Sequence, residues 1–127
     1  MKIITLLIGL FMTTISLSQS FDKVEKAIFY TYKYGDWVTE KTTYPEGMFV
    51  IMNGYEIKIT NQNESKFITY GIPKKENTSE YESNTWDAYD KDGDRCLFVM
   101  TKYYNTDGYS IFIMYNKMAL QYIISKK

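Results

Sequence analysis

The chain has 127 residues, with 15 basic and 15 acidic side chains, no histidine and one cysteine. This balanced charge argues against a nucleic-acid partner, because such a partner requires a basic face that neutralises phosphates. The lack of histidine removes the commonest general base and metal ligand. A single cysteine excludes an intramolecular disulfide and a thiolate zinc site within the chain.

Residues 1–18 have the pattern of a cleaved signal peptide. Lys2 is followed by an uncharged run, Ile3–Leu17, which is shorter than the roughly 20 apolar residues that a membrane-spanning helix needs. Serines precede Gln19 at the positions that cleavage requires. The alternative is a buried apolar strand or helix. The pattern predicts one domain over residues 19–127, periplasmic or secreted, with no membrane insertion after cleavage.

The segment from Trp86 to Ile124 alternates apolar and polar residues along three predicted strands. A period of two places the apolar residues on one face of a pleated strand, whereas a helix requires spacings of three and four. Asp92-Gly93 and Asp107-Gly108 mark chain reversals. The predicted inner face comprises Cys96, Phe98, Met100, Tyr109, Ile111, Ile113, Tyr115, Met118, Leu120, Tyr122 and Ile124. We expect Cys96 to be a buried structural thiol, with an intermolecular disulfide or a reactive thiol as alternatives.

The first half of the chain shows the same strand patterns separated by turn residues. Asn53-Gly54 matches a two-residue type I′ hairpin turn. Residues Ile72–Asn84 are mostly polar and are interpreted as an irregular connection, either a solvated excursion or a functional lid. The predicted strands are Val24–Tyr34, Trp37–Thr43, Met48–Met52, Tyr55–Thr60 and Ser65–Tyr70.

This spacing of short strands, without an amphipathic helix, predicts an all-β domain. We expect a single antiparallel meander of about eight strands, either a small barrel-like sheet or a two-layer sheet. The barrel is favoured because most connections resemble hairpins between sequential neighbours.

Three carboxylates alternate along Asp90, Asp92 and Asp94, as at the start of a calcium loop. An EF-hand loop requires glycine at its sixth position and glutamate at its twelfth, where this chain has Arg95 and Thr101. The cluster is therefore interpreted as a hairpin turn with solvated carboxylates. We expect no metal site, no cofactor and no catalytic residue.

The aromatic content is unusual, with 13 tyrosines in the chain. Tyrosine combines a large apolar face with a polar tip, so it suits half-buried sheets and binding surfaces alike. These residues form either the core and rim of a small barrel or a surface that stacks on a sugar, peptide or apolar ligand. The candidate ligand-binding residues are Tyr30, Tyr32, Tyr34, Trp37 and Trp86.

Two stretches resemble small exported β proteins of flavobacteria and their relatives. One is the leader ending Leu17-Ser18-Gln19. The other is Trp-Asp-Ala-Tyr-Asp-x-Asp-Gly-x-x-Cys-x-Phe over residues 86–98, followed by Ile-x-Ile-x-Tyr over residues 111–115. The resemblance implies a periplasmic or secreted location and carries over no functional residues.

The expected function is that of an exported, non-enzymatic binding domain with an unknown small ligand or protein partner. In the first hypothesis a small ligand lies in an aromatic-lined barrel mouth. The alternative is a protein-interaction module that docks through a sheet edge or an aromatic patch. An enzyme that uses carboxylates alone is the third. A carrier would have an internal cavity lined by Tyr and Met, an interaction module a filled core with a free edge or exposed aromatic patch, and an enzyme two acids facing each other in a cleft.

Overall fold

The computed structural model describes residues 19–61 and 64–125, so the predicted signal peptide lies outside the described residues. Within them the chain forms strands joined by turns, and no helix long and apolar enough to cross a membrane is found there. The all-β prediction is confirmed. The strands are β1 Gln19–Lys33, β2 Asp36–Thr43, β3 Phe49–Asn53, β4 Glu56–Thr60, β5 Glu64–Asn77, β6 Tyr81–Asp90, β7 Arg95–Tyr103, β8 Tyr109–Met114 and β9 Met118–Ile124.

The long strand β1 closes the sheet into a barrel. Its first part, Gln19–Lys23, pairs with β3, and its middle, Val24–Thr31, pairs with β9 on the other side. From β3 to β9 each strand pairs antiparallel with the next. The result is an eight-stranded barrel of β1 and β3 to β9, so the barrel rather than the two-layer sheet is the fold.

Strand β2 lies outside this ring. It pairs with β1 over Ala27–Lys33 and stands at the end of the strand order. The β1–β2 hairpin continues past the β9 pairing, which ends at Thr31. We call the barrel end that carries the β4–β5, β6–β7 and β8–β9 turns the upper end, and the opposite end the lower end.

The barrel interior is filled by the alternating apolar residues. Phe98, Ile111, Ile113 and Ile124 are at most 1% exposed, and Cys96 is buried beside them. Cross-strand pairs such as Phe98 with Ile113 bring these residues together on one face of adjacent strands. The predicted inner face of the last three strands is confirmed, and Cys96 is a free, buried thiol.

The prediction of an irregular connection over Ile72–Asn84 is wrong. Strand β5 continues to Asn77 and pairs with β6, with an irregularity between Tyr70 and Lys74. Thr78 closes a tight turn, since its Oγ1 accepts the backbone N–H of Tyr81 at 3.1 Å. Side chains 74–80 are all exposed. This part of the hairpin buries little, so its sequence lacks the alternation that reveals a strand.

The type I′ turn lies at a different hairpin from the one predicted. Asn53 pairs with Glu56, so Gly54 and Tyr55 occupy the turn, and only Gly54 has positive φ, at 67°. Glycine at the first central position is typical of a type II′ turn. The β1–β2 turn instead has two residues of positive φ, Tyr34 at 52° and Gly35 at 79°. That combination defines type I′.

Candidate functional site

Three of the predicted ligand-binding residues lie together on the outside of the barrel. Tyr30 pairs with Ala119, and its phenol donates a hydrogen bond of 2.6 Å to Gln121 Oε1. Ala119 and Gln121 alternate with the inward-facing residues of β9, so this face of β1 points away from the core. Tyr32 and Trp37 continue the same face as a cross-strand pair, with ring centroids 5.2 Å apart.

Tyr34 does not contribute to a common surface. It occupies the β1–β2 turn with its side chain fully exposed. Positive φ is uncommon for a non-glycine residue and is unfavourable for a bulky one. Tyr34 therefore stands at the tip of the hairpin in a strained backbone conformation.

Trp86 faces the barrel interior. Its ring lies 5.9 Å from that of Phe98, and it packs against the buried core. The five predicted residues are therefore divided among the outer face, a turn and the interior. Only Tyr30, Tyr32 and Trp37 lie together.

The outer face does contain a groove, which we call the aromatic groove. It is lined by Tyr30, Trp37, Phe112, Met114 and Ala119 and has a volume of about 240 Å³. The rings of Tyr30 and Phe112 stack with centroids 6.3 Å apart, and burial raises the pKa of the Tyr30 phenol. Because Ala119 is small, the larger side chains around it leave a depression rather than a ridge.

Sequence reasoning missed Phe112, Met114 and Ala119. A usable signal was present in β8. Phe112 and Met114 occupy the outward-facing positions that alternate with the inward-facing Ile111 and Ile113, and both are apolar. A half-solvated strand should carry polar side chains there. Apolar residues on both faces of β8 indicate that the outer face is also used.

The edge of β2 is unpaired in the described sheet, but it is protected. The backbone N–H of Trp37 donates to the Asp36 carboxylate at 2.9 Å. Glu40 is an extra residue in the β1–β2 pairing, where Phe29 pairs with Lys41 and Tyr30 with Thr39. Charged side chains and bulges are common means of preventing edge-to-edge pairing.

Glu40 is also tied to the neighbouring strand. Its carboxylate lies 2.7 Å from Lys33 Nζ and accepts a hydrogen bond from the Thr31 hydroxyl. The Lys33 contact, followed by that of Thr31, lowers the pKa of Glu40. The bulge thus presents an ionised side chain beside the edge.

A second depression, the barrel-end recess, lies at the upper end. Its volume is about 410 Å³, and Phe67, Met118 and Leu120 supply an apolar floor. Tyr115 borders it and donates a hydrogen bond of 2.7 Å to Asp90. Burial, followed by this hydrogen bond, raises the pKa of Tyr115. The recess is the nearest equivalent of the predicted barrel mouth, with different residues.

Asp90 organises the β6–β7 turn beside this recess. Its Oδ1 accepts the backbone N–H groups of Asp92 and Asp94 at 3.0 and 2.9 Å. The Tyr115 hydrogen bond, followed by these backbone bonds, lowers the pKa of Asp90. Carboxylate oxygens of all three aspartates lie within 4.8 Å of one another. Both carboxylate oxygens of Asp90 accept hydrogen bonds within the protein, so its role in stabilising the turn explains its presence.

Cys96 has the chemistry of a structural thiol. Burial raises its pKa to about 11, and the nearby Asp90 charge adds to the shift. The thiolate is the reactive form, so this environment suppresses nucleophilic chemistry at neutral pH.

Comparison with protein-family models, curated proteins and solved structures finds no match. Function must therefore be inferred from the chemistry of these surfaces.

Proposed function

We propose that this chain is an exported, non-enzymatic binding domain that docks a protein partner through the aromatic groove. The observation that carries the proposal is an aromatic cluster on the outside of a barrel whose interior is filled with its own side chains. Aromatic residues and methionine are enriched where proteins bind one another. A small barrel uses its inner face for stability, so an additional apolar outer face has another purpose.

The size and lining of the aromatic groove favour a side chain as its occupant. Its volume of about 240 Å³ lies below the roughly 300–1,000 Å³ typical of small-ligand sites. None of its five lining side chains is charged, and the Tyr30 phenol already donates its hydrogen bond to Gln121. An apolar side chain of the partner would fill the groove. The neighbouring rings of Trp37 and Tyr32 would contact the partner around it.

Docking through the aromatic groove is better supported than docking through the β2 edge. The Asp36 carboxylate already occupies the Trp37 N–H, and the bulge at Glu40 interrupts the regular spacing that an added strand would need. The aromatic residues next to this edge are accessible, since Trp37 is 36% and Tyr32 44% exposed.

The non-enzymatic and exported parts of the proposal rest on the sequence. The chain has no histidine, and the group of three neighbouring carboxylates found among the described residues sits on one turn rather than across a cleft. Export rests on the signal-peptide pattern of residues 1–18.

Site-specific photo-crosslinking tests the proposal. A photoreactive amino acid at Tyr32, in cells that make the protein, should capture a defined partner protein. The matched control is the same amino acid at Tyr55, which is exposed in the β3–β4 turn at the lower end. The purified partner should then lose about 30-fold in affinity for the Trp37→Ala variant, as expected for an aromatic hot spot, and bind Tyr55→Ala normally. Equal capture at both positions, or unchanged affinity for Trp37→Ala, would reject docking through the groove.

The barrel-end recess supports a second candidate function, the binding of a small apolar ligand. Its volume of about 410 Å³ falls within the range of such sites. Native mass spectrometry of protein purified gently from the periplasm distinguishes the two functions. A small-molecule adduct that is lost on denaturation and absent from a Phe67→Ala variant would favour the recess. A clean mass for residues 19–127 would favour the protein partner.

A further inference from the structure

Ser110 is one of two described residues whose buried side-chain polar atom has no hydrogen-bond partner; the other is Asn84 in β6. Ser110 is 5% exposed, and its Oγ has no hydrogen-bond partner among the described residues. It lies on the outer face of β8, since the next residue, Ile111, points into the core. A buried hydroxyl without a partner is unfavourable, so its presence calls for an explanation. Alanine would fit the same position without that penalty.

Ser110 lines a groove on the lower half of the barrel, which we call the serine groove. The groove has a volume of about 330 Å³ and lies between the β7–β8 turn and the end of β9. Tyr103 borders it with a ring that is 45% exposed, and Ile123 supplies apolar surface. This position is separate from the aromatic groove, although both share strand β9.

The shape of the serine groove is fixed by a close backbone approach. A Cβ added at Gly108 would lie 2.1 Å from the carbonyl oxygen of Ile124. Only glycine allows this approach, so the β7–β8 turn can lie directly against the end of β9. This side of the groove is therefore bounded by two backbone segments in close contact.

The polar groups around the serine groove offer both donors and acceptors. Glu25 and Asp107 line it with exposed carboxylates for which no hydrogen bond or ion pair is found in the described structure. Gln121 uses its Oε1 to accept the Tyr30 phenol proton, which leaves its amide nitrogen as a donor. Ser110 adds a buried, unpartnered hydroxyl in the wall of the groove, which can donate or accept a hydrogen bond.

We propose that the serine groove is a binding site for a hydroxyl-rich ligand of the saccharide class. A hydroxyl group donates to the carboxylates and accepts from the Gln121 amide, so one type of ligand group satisfies the whole set. A simple ammonium ligand only donates and would leave that amide without an acceptor. The exposed Tyr103 ring adds a flat apolar surface against which the C–H face of a sugar ring can pack.

Two-dimensional NMR of the isotope-labelled domain tests this inference directly. The probes are glucose, galactose and N-acetylglucosamine, each titrated separately, with methylammonium chloride as a cationic control. At least one sugar should shift the backbone amide signals of Ser110, Tyr103 and Gln121 in a saturable manner. The methylammonium control should leave them unchanged.

Two variants assign the effect to the groove. Ser110→Ala should weaken sugar binding by about tenfold, the equivalent of one hydrogen bond, while its Tm is unchanged or higher because an unsatisfied hydroxyl is removed. Asp107→Asn should also weaken binding, whereas Asp92→Asn, in an exposed turn at the upper end, should not. The inference is overturned if none of the three sugars shifts these signals, if methylammonium alone shifts them, or if Ser110→Ala binds sugar as tightly as the wild type.

Discussion

At the scale of single residues, two side chains occupy positions that cost stability. Tyr34 has positive φ in a turn that favours asparagine or glycine. Ser110 buries a hydroxyl without a partner. Strain and unsatisfied groups often occur at functional sites. Ser110 lines the serine groove, whereas Tyr34 stands at the tip of the hairpin that carries Tyr32 and Trp37.

Replacing Tyr34 by asparagine should stabilise the fold. A left-handed conformation costs an ordinary residue about 1–2 kcal/mol, and asparagine tolerates it better. We expect Tyr34→Asn to raise the free energy of unfolding by roughly 1 kcal/mol in urea titrations. Tyr55→Asn is the matched control, since Tyr55 occupies a turn with negative φ and should show no gain. A loss of stability in Tyr34→Asn would show that the exposed ring makes contacts that outweigh the strain.

The Asp90–Tyr115 hydrogen bond should make stability depend on pH at both extremes. The pKa of Asp90 is lowered, so its contribution is present above the ordinary pKa of aspartate and is lost as pH falls through the folded-state value. The pKa of Tyr115 is raised, so its contribution is present below the ordinary pKa of tyrosine and is lost as pH rises above it.

Tyr115→Phe isolates the acid-side effect because it removes the phenol hydrogen bond, which is the largest cause of the lowered Asp90 pKa. The variant should lose less stability than the wild type between pH 7 and acid conditions, measured by the urea midpoint at each pH. An identical acid sensitivity in both proteins would mean that other carboxylates dominate.

At the scale of elements, the hairpins differ in what their sequences reveal. The alternation in β7, β8 and β9 allowed their inner face to be predicted, because each strand has one face on the core. The lower part of the β5–β6 hairpin is exposed, so no periodicity marked it as strand. The aromatic groove could not be predicted because it forms only when β1 pairs with β9, and strand patterns do not specify partners.

The contact at Gly108 gives an element-scale prediction. Gly108→Ala places a methyl group against the Ile124 carbonyl, so the β7–β8 turn must shift. We expect a loss of about 1–3 kcal/mol in the free energy of unfolding. Asn105→Ala, an exposed substitution in the same turn, should stay within about 0.5 kcal/mol of the wild type. A tolerated Gly108→Ala would show that the turn and β9 can separate, and the serine groove would then lack a fixed shape.

At the scale of the whole molecule, the barrel separates aromatic residues into an inner and an outer set. Phe98 and Trp86 belong to the interior, whereas Phe112 and Trp37 belong to the outer face. The sequence predicted a barrel rich in aromatic side chains but could not assign them, because β1 carries apolar residues on both faces. Assignment required the register of β1 with β2 and β9.

A pair of matched truncations should reflect this separation. Phe98→Ala should lower the free energy of unfolding by about 3–5 kcal/mol, as for a fully buried ring. Phe112→Ala should cost clearly less, because its ring borders an open groove. Both values can be measured by urea unfolding. Equal losses would mean that the outer face is as tightly packed as the core and is not available to a partner.

The most direct test of an outer binding face uses the two tryptophans of the chain. Trp86→Phe leaves Trp37 as the fluorophore, and Trp37→Phe leaves Trp86. Iodide should quench Trp37 strongly and Trp86 weakly, and adding the purified crosslinked partner should protect Trp37 alone. Equal quenching of both tryptophans, or protection of Trp86 rather than Trp37, would contradict docking through the aromatic groove.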